Sequence, residues 1–150
     1  MASQRWKTIN NWGLQVRNRF LQRIETVASH VADLHPAFFG HAIGDEVLKA
    51  TARTILACTR SSDVVARIGG DEFVVASQSV PSEGDVTALT HRIKAAFLSP
   101  IHINGNDLTV GISIGVAKYP QDGVTIDELL VHSDRAMYMD KQTHTLSKST

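Results

Sequence analysis

The first pattern of apolar and polar positions lies between Val16 and Val31. Its apolar residues recur at spacings of three and four, as on one face of a helix: Val16, Phe20, Ile24, Val27 and Val31. The pattern predicts a helix here. The following part, Val27 to Leu34, is compatible with two structures, a continuation of that helix or a short strand before Pro36.

Two more helices are predicted further along the chain. Asp45 follows Gly40 to Gly44 and is a candidate N-cap for a helix. The apolar face of that helix consists of Val47, Leu48, Thr51, Ala52, Ile55 and Leu56. A similar stripe before Pro100 predicts a helix with Val86, Leu89, Ile93 and Phe97 on one face.

A last helix is predicted after the loop from Tyr119 to Gly123. Thr125 and Glu128 have the spacing of a capping box, in which each residue satisfies a backbone N–H group of the other. The helix is expected to run to about Lys141, and the polar tail from Gln142 to Thr150 to be frayed.

Between these helices the apolar pattern changes to short β-prone runs. Val64 to Ile68 and Phe73 to Ala76 flank Gly69-Gly70-Asp71-Glu72, where glycines permit a tight hairpin turn. Ile101 to Ile103 and Leu108 to Ala117 flank Asn104-Gly105, a strong hairpin signal. The predicted fold class is therefore α/β, as an α+β two-layer sandwich with a central, mostly antiparallel sheet flanked by helices.

Composition and charge narrow the class of protein. A chain of 150 residues with 43% hydrophobic and 20% charged residues corresponds to one globular domain. Fifteen basic residues balance 15 acidic ones, so a nucleic acid polymer is not an expected partner. Cys58 has no second cysteine to pair with, and the sequence contains no long apolar run. We therefore expect no membrane segment and a cytoplasmic location.

Asp71 and Glu72 are the candidate chemical groups of the first hairpin. Adjacent carboxylates repel each other unless a cation or water separates them. Two oxygen ligands beside a glycine turn suit Mg²⁺ bound together with substrate phosphates. The dipeptide alone favours a solvated acidic turn over a metal site, and only the wider sequence reverses this preference.

The wider sequence resembles the GGDEF family of diguanylate cyclases. Gly69 to Phe73 has the family signature, within the extended match Arg67-Ile-Gly-Gly-Asp-Glu-Phe-Val-Val75. Further segments resemble family motifs in the same order: Gly13-Leu14 with Arg17 and Phe20, Gly40-His-Ala-Ile-Gly-Asp45, Arg60-Ser-Ser-Asp63, Ser113-Ile-Gly-Val116, and Asp134-Arg-Ala-Met-Tyr138 with Lys141. The resemblance covers nearly the whole chain.

This resemblance implies a nucleotidyl-cyclase-like fold in a single GGDEF domain over 1–150, with about 12–142 structured. The implied reaction condenses two GTP molecules into cyclic di-GMP. It takes place between two domains of a homodimer and depends on Mg²⁺ or Mn²⁺. The expected partners are thus GTP, cyclic di-GMP and a second copy of the chain.

The resemblance also assigns roles to individual residues. Asp71 and Glu72 would be metal-binding and catalytic, and Gly69 and Gly70 would let the backbone approach the nucleotide. Two further residues are implied to bind substrate, through the guanine edge and the terminal phosphates respectively: Asp45 and Lys141. Each has a purely structural alternative, because an aspartate can cap a helix and a lysine is favoured near a helix C-terminus.

The match departs from the family in an abbreviated or atypical first-strand region, 27–39. An alignment without a gap puts Ala28 at the family's metal-binding aspartate, Asp33 at its phosphate lysine and Pro36 at its guanine-reading asparagine. A gapped alignment restores Asp33 as a metal ligand but removes the other two positions. Both alignments predict impaired GTP turnover, and the first strand is expected to be absent or rebuilt.

A second motif suggests a different function. Arg60-Ser-Ser-Asp63 resembles the family's inhibitory site for cyclic di-GMP, to which Arg67 would add a contact. An ordinary surface Arg–Asp pair is the structural alternative. Three functions therefore remain open: a cyclase, a catalytically weak cyclic di-GMP-binding or regulatory module, and a remnant that serves protein contact.

Overall fold

The computed structural model describes the backbone of residues 24–30, 40–78 and 83–147, and side chains within 43–67, 70–77 and 84–143. The predictions for Gly13 to Phe20 and for Asp33 lie outside these residues. The described elements are β1 (Ile24–His30), α1 (Gly40–Cys58), β2 (Val64–Gly69), β3 (Glu72–Gln78), α2 (Glu83–Ala96), β4 (Ile101–Ile103), β5 (Asn106–Leu108), β6 (Ser113–Lys118) and α3 (Ile126–Ser147).

The main sheet has four strands in the order β2-β3-β1-β6, and its strand pairs are antiparallel. Strands β4 and β5 form a separate two-stranded sheet. Helix α3 packs on β6 and β1, whereas α1 packs against α2, β2 and β4. The α+β class predicted from the sequence, with a central antiparallel sheet flanked by helices, is confirmed.

The structure of β1 differs from two predictions made from the sequence. Ile24 to His30 form a strand, so the helix predicted over Val16 to Val31 is wrong for these residues. The first strand was expected to be absent or rebuilt, and its absence is ruled out because β1 pairs along its length with β3 and β6. Hydrogen bonding to strands far along the chain outweighs a local helical pattern, especially where β-branched residues favour a strand.

Helix α1 begins earlier than the sequence predicted. It starts at Gly40, so Asp45 lies in its second turn and is not its N-cap. Gly44 is an interior helical residue, and an added Cβ atom there would meet nothing within 4 Å. The capping role predicted for Asp45 is therefore wrong, and Asp45 is exposed on the helix surface.

Both predicted turns are present. The β2–β3 hairpin closes around Gly70 and Asp71. Asn104 and Gly105 have φ angles of 50° and 81°, as expected for an Asn-Gly hairpin turn between β4 and β5. The prediction of one continuous strand from Leu108 to Ala117 is wrong. The chain leaves the small sheet after Leu108 and enters the main sheet at Ser113 as β6.

The capping box at the start of α3 is confirmed. Thr125 Oγ1 accepts the Glu128 N–H at 3.2 Å, and Glu128 Oε2 accepts the N–H groups of Val124 and Thr125 at 2.7 and 3.1 Å. These backbone N–H groups lower the pKa of Glu128. The helix runs to Ser147, past the end predicted near Lys141. Lys141 therefore lies inside the helix, and the prediction that it lies near the helix C-terminus is wrong.

The core lies mainly between the sheet and helices α1 and α2. Strand β3 is buried on both faces, since five consecutive residues from Phe73 to Ser77 are buried. The central cluster includes Val47, Ile55, Val65, Phe73, Val75, Leu89, Ile93 and Phe97. Cys58 belongs to this cluster, and burial raises the pKa of its thiol, which supports its predicted role as a small apolar residue. None of the helices within the described ranges is long and apolar enough to cross a membrane.

Gly115 explains the close packing of α3 on β6. A Cβ atom on Gly115 would lie 1.9 Å from the carbonyl oxygen of Ser133 and 2.4 Å from the backbone nitrogen of Met137. Both contacts are to helix backbone, which cannot rotate away as a side chain can. Only a residue without a side chain allows α3 to cross β6 at this distance.

Candidate functional site

The acidic residues lie at the tip of the β2–β3 hairpin. Strand β2 ends at Gly69 and β3 begins at Glu72, so that Gly70 and Asp71 form the connection. Gly70 has a φ of 48°, a left-handed conformation that glycine adopts without strain. Arg67 Nε donates a hydrogen bond of 2.7 Å to the Gly70 carbonyl. The tip is thus held in place, with Asp71 and Glu72 half-buried.

Strand β1 brings two further strand ends to this tip. His30, the last residue of β1, pairs in register with Glu72 on one side and with Ser113 on the other. The first residues of β3 and β6 and the last residue of β1 therefore lie side by side. The acidic turn therefore lies at one end of the sheet, next to the ends of β1 and β6.

Asp140 of helix α3 forms a hydrogen bond to β6 at the same end of the sheet and an ion pair with α2. Its Oδ2 accepts the N–H of Ile114 at 2.9 Å, and its Oδ1 pairs with Lys94 Nζ of α2 at 2.9 Å. Ile114 pairs with Ser29, one residue before His30. Lys141, next in the chain after Asp140, is half-buried. The Asp140 contacts hold this segment of α3 against the start of β6.

The donor set at the turn suits a particular kind of metal binding. Within the described ranges, no group of three or more His, Cys, Asp or Glu side chains is arranged to hold a metal ion. Two carboxylates, Asp71 and Glu72, are nevertheless adjacent in the chain. Mg²⁺ is commonly bound by one or two carboxylates together with substrate phosphates and water. Asp71 and Glu72 are therefore oxygen ligands of the kind that such a site uses.

The second predicted motif forms the connection between α1 and β2. Asp63 is 7% exposed, and its Oδ2 accepts the N–H of Arg60 at 2.7 Å. The Asp63 N–H donates to the Arg60 carbonyl at 3.1 Å. One Asp63 oxygen thus shapes the loop, while the Arg60 side chain is 60% exposed and lies 3.6 Å from Asp85 Oδ1 of α2.

Arg92 is a basic residue near this loop that no sequence motif identifies. Its Nε donates a hydrogen bond of 2.7 Å to the carbonyl of Cys58, two residues before Arg60. No local pattern identifies this residue, because the contact depends on how α1 and α2 pack. Arg92 lies seven residues after Asp85, so both residues are on one face of α2. The packing of α1 on α2 shows that this face is near the loop.

The family described as "Diguanylate cyclase, GGDEF domain" matches residues 36–146. The chain belongs to the GGDEF domain family. It is 39% identical over 104 residues to diguanylate cyclase TpbB of Pseudomonas aeruginosa, covering 69% of this chain and 24% of TpbB. It is 35% identical over 115 residues to diguanylate cyclase A of Treponema denticola, covering 74% of this chain and 31% of that protein. The GGDEF chain therefore spans less than a third of these curated relatives.

Solved GGDEF domains have the same fold. The GGDEF domain of TpbB from Pseudomonas aeruginosa superposes with a TM-score of 0.80 at 31% identity, covering 86% of each chain. A sensory box/GGDEF family protein from Caulobacter crescentus superposes with a TM-score of 0.78 at 28% identity, covering 91% of this chain and 93% of that one. The nucleotidyl-cyclase-like GGDEF fold expected from the sequence is thus confirmed.

Proposed function

We propose that this GGDEF domain condenses two GTP molecules into cyclic di-GMP as a metal-dependent homodimer, at an impaired rate. The observation that carries the proposal is the acidic hairpin tip, where Asp71 and Glu72 lie half-buried beside the ends of β1 and β6. Family membership alone does not decide the activity. The chain is also 36% identical over 102 residues to a cyclic di-GMP phosphodiesterase, NbdA of Pseudomonas aeruginosa, covering 68% of this chain and 13% of NbdA.

The proposed roles follow from the chemistry of each side chain. Asp71 and Glu72 hold Mg²⁺ or Mn²⁺, and the glycines at 69 and 70 let the backbone approach the nucleotide. The bound metal supplies positive charge to the reacting phosphate. Asp45 accepts hydrogen bonds from guanine N–H groups, and Lys141 binds terminal phosphates as a point charge.

The impairment is attributed to the residue at position 28. Strand β1 ends at His30 opposite Glu72, which favours the alignment without a gap, because that alignment ends the strand two residues after Ala28. Ala28 then occupies the place of the family's metal-binding aspartate. Asp33, the metal ligand of the gapped alignment, lies outside the described residues and remains a weaker candidate. An alanine provides no oxygen ligand, so the metal is bound by fewer carboxylates.

Replacement of Ala28 by aspartate is expected to increase cyclic di-GMP formation on the order of tenfold or more, because it restores a charged metal ligand. Ala28 lies between Val74 of β3 and Gly115 of β6, at the centre of the sheet. The measurement is the rate of product formation from GTP and Mg²⁺, followed by chromatography.

Ser29→Asp is the matched control for this gain. It adds the same charge to β1 one residue further along the chain. Thermal unfolding of both variants shows whether the added charge disturbs the sheet. An equal or lower rate in a folded Ala28→Asp variant would contradict the proposed cause of the impairment.

A second candidate function is the binding of cyclic di-GMP at the Arg60–Asp63 loop. The observation that favours it is a buried aspartate that fixes the loop while leaving the Arg60 guanidinium largely exposed. Arg67, also exposed, lies on the following strand and is bonded to the Gly70 carbonyl at the acidic turn. Guanidinium groups bind phosphates through paired, charge-assisted hydrogen bonds.

The Arg60→Ala variant is expected to bind cyclic di-GMP about tenfold or more weakly than the wild type, since it loses charge-assisted hydrogen bonds. Isothermal titration calorimetry measures the dissociation constant. Arg53→Ala, which removes an exposed arginine from α1, is the control and should bind like the wild type. Equal dissociation constants for the wild type and Arg60→Ala would exclude this loop as the binding site.

A further inference from the structure

The guanidinium of Arg60 already faces an anion of the protein. Arg60 Nη2 lies 3.6 Å from Asp85 Oδ1, in the first turn of α2. The Arg60 side chain is 60% exposed and that of Asp85 is 35% exposed. Both groups are therefore accessible to a ligand from solvent, yet close enough for their charges to attract each other.

The position of this pair is set by the surrounding packing. The Arg60 backbone is fixed by its N–H bond to Asp63 Oδ2. Two residues earlier, the Cys58 carbonyl accepts Arg92 Nε of α2 at 2.7 Å, and the Cys58 thiol lies 3.8 Å from the Arg92 carbonyl oxygen. Because these contacts hold the loop against α2, Asp85 and Arg60 are kept near each other by the fold and not only by their own attraction.

We propose that Asp85 lowers the affinity of the Arg60 loop for cyclic di-GMP by competing with the ligand's phosphates for the guanidinium. This inference rests on the dinucleotide binding proposed above. A guanidinium binds a carboxylate or a phosphate with the same paired donors, so the two anions exclude each other at shared N–H groups.

The expected effect is moderate because the pair is largely exposed. Exposed ion pairs are weak, so we expect removal of the Asp85 charge to tighten binding about two- to fivefold. Dissolved salt screens charges near the surface, so the gain should shrink as ionic strength rises. Asp85 thus raises the cyclic di-GMP concentration that is needed to occupy the loop.

The test is calorimetric titration of the full chain with cyclic di-GMP, at low and at high salt. Four proteins are compared: the wild type, Asp85→Asn, Arg60→Ala, and the double variant Arg60→Ala/Asp85→Asn. Asp107→Asn serves as the control, since it removes an equal charge from the exposed β4–β5 hairpin. Thermal unfolding accompanies each titration, because an acid in a first helical turn also stabilises its helix.

The proposal predicts tighter binding by Asp85→Asn alone, an unchanged dissociation constant for Asp107→Asn, and no gain from Asp85→Asn once Arg60 is removed. Equal affinities of the wild type and Asp85→Asn, or a gain that persists without Arg60, would overturn the role of Asp85 while leaving the binding site intact. The absence of binding by the wild type and by Asp85→Asn would instead overturn the dinucleotide site itself, and with it this role.

Discussion

Replacement of Glu72 by glutamine is expected to slow cyclic di-GMP formation by about 100-fold or more, because under the proposed mechanism the change removes one of the two charges that hold the metal. Glutamine has nearly the same shape, so the hairpin should be retained. Glu72 is half-buried and pairs with both Gly69 and His30, which places it where the ends of the strands meet. The rate is measured in the wild type and in the Ala28→Asp background, where faster turnover makes the loss easier to quantify.

The matched control for Glu72→Gln is Asp107→Asn, which also removes one negative charge but lies exposed on the separate β4–β5 hairpin. It should leave the rate unchanged. If Glu72→Gln retained most of the activity, the charge of the acidic turn would not be needed for catalysis. The proposed roles of Asp71 and Glu72 would then be wrong.

Gly115→Ala is expected to reduce the free energy of unfolding by about 3 kcal/mol or more, because the added methyl group overlaps helix backbone. The new Cβ atom would lie 1.9 Å from the Ser133 carbonyl oxygen and 2.4 Å from the Met137 nitrogen. Helix α3 has to move away from β6, which disturbs the packing around buried Leu129 and Met137. Chemical denaturation followed by circular dichroism measures the change.

Gly44→Ala is the control for this effect, since a Cβ atom there meets nothing within 4 Å. Alanine is the better helix former, so this variant should be roughly 0.5–1 kcal/mol more stable than the wild type. If both glycine variants unfold at the same denaturant concentration as the wild type, the close approach of α3 to Gly115 is not a determinant of stability.

Features that depend on neighbouring residues could be predicted from the sequence. The Asn104-Gly105 turn needs only two residues with positive φ, and the Thr125–Glu128 capping box needs only a spacing of three. The apolar faces of α1 and α2 were likewise visible in the spacing of their residues. In each case a local physical requirement determines which amino acids can be present.

Features that depend on distant partners could not be predicted in this way. Ile24 pairs with Gln78, and Glu25 pairs with Lys118, so β1 is a strand because of residues more than 50 positions away. Its own sequence has helical spacing. The link between Arg60 and Asp85 likewise depends on the packing of α1 against α2. The acidic turn itself was predictable, but its neighbours on β1, β6 and α3 were not.

The most direct test of the account is the incubation of the purified protein with GTP and Mg²⁺ over a range of protein concentrations, with cyclic di-GMP quantified by chromatography. Because the proposed reaction joins two GTP molecules held by two domains, the rate per protein molecule should rise with protein concentration. It should also disappear when a chelator removes the metal. Slow, chelator-sensitive formation of cyclic di-GMP with this concentration dependence is the predicted result. No product at the highest concentration, with either Mg²⁺ or Mn²⁺, would contradict the proposed cyclase activity.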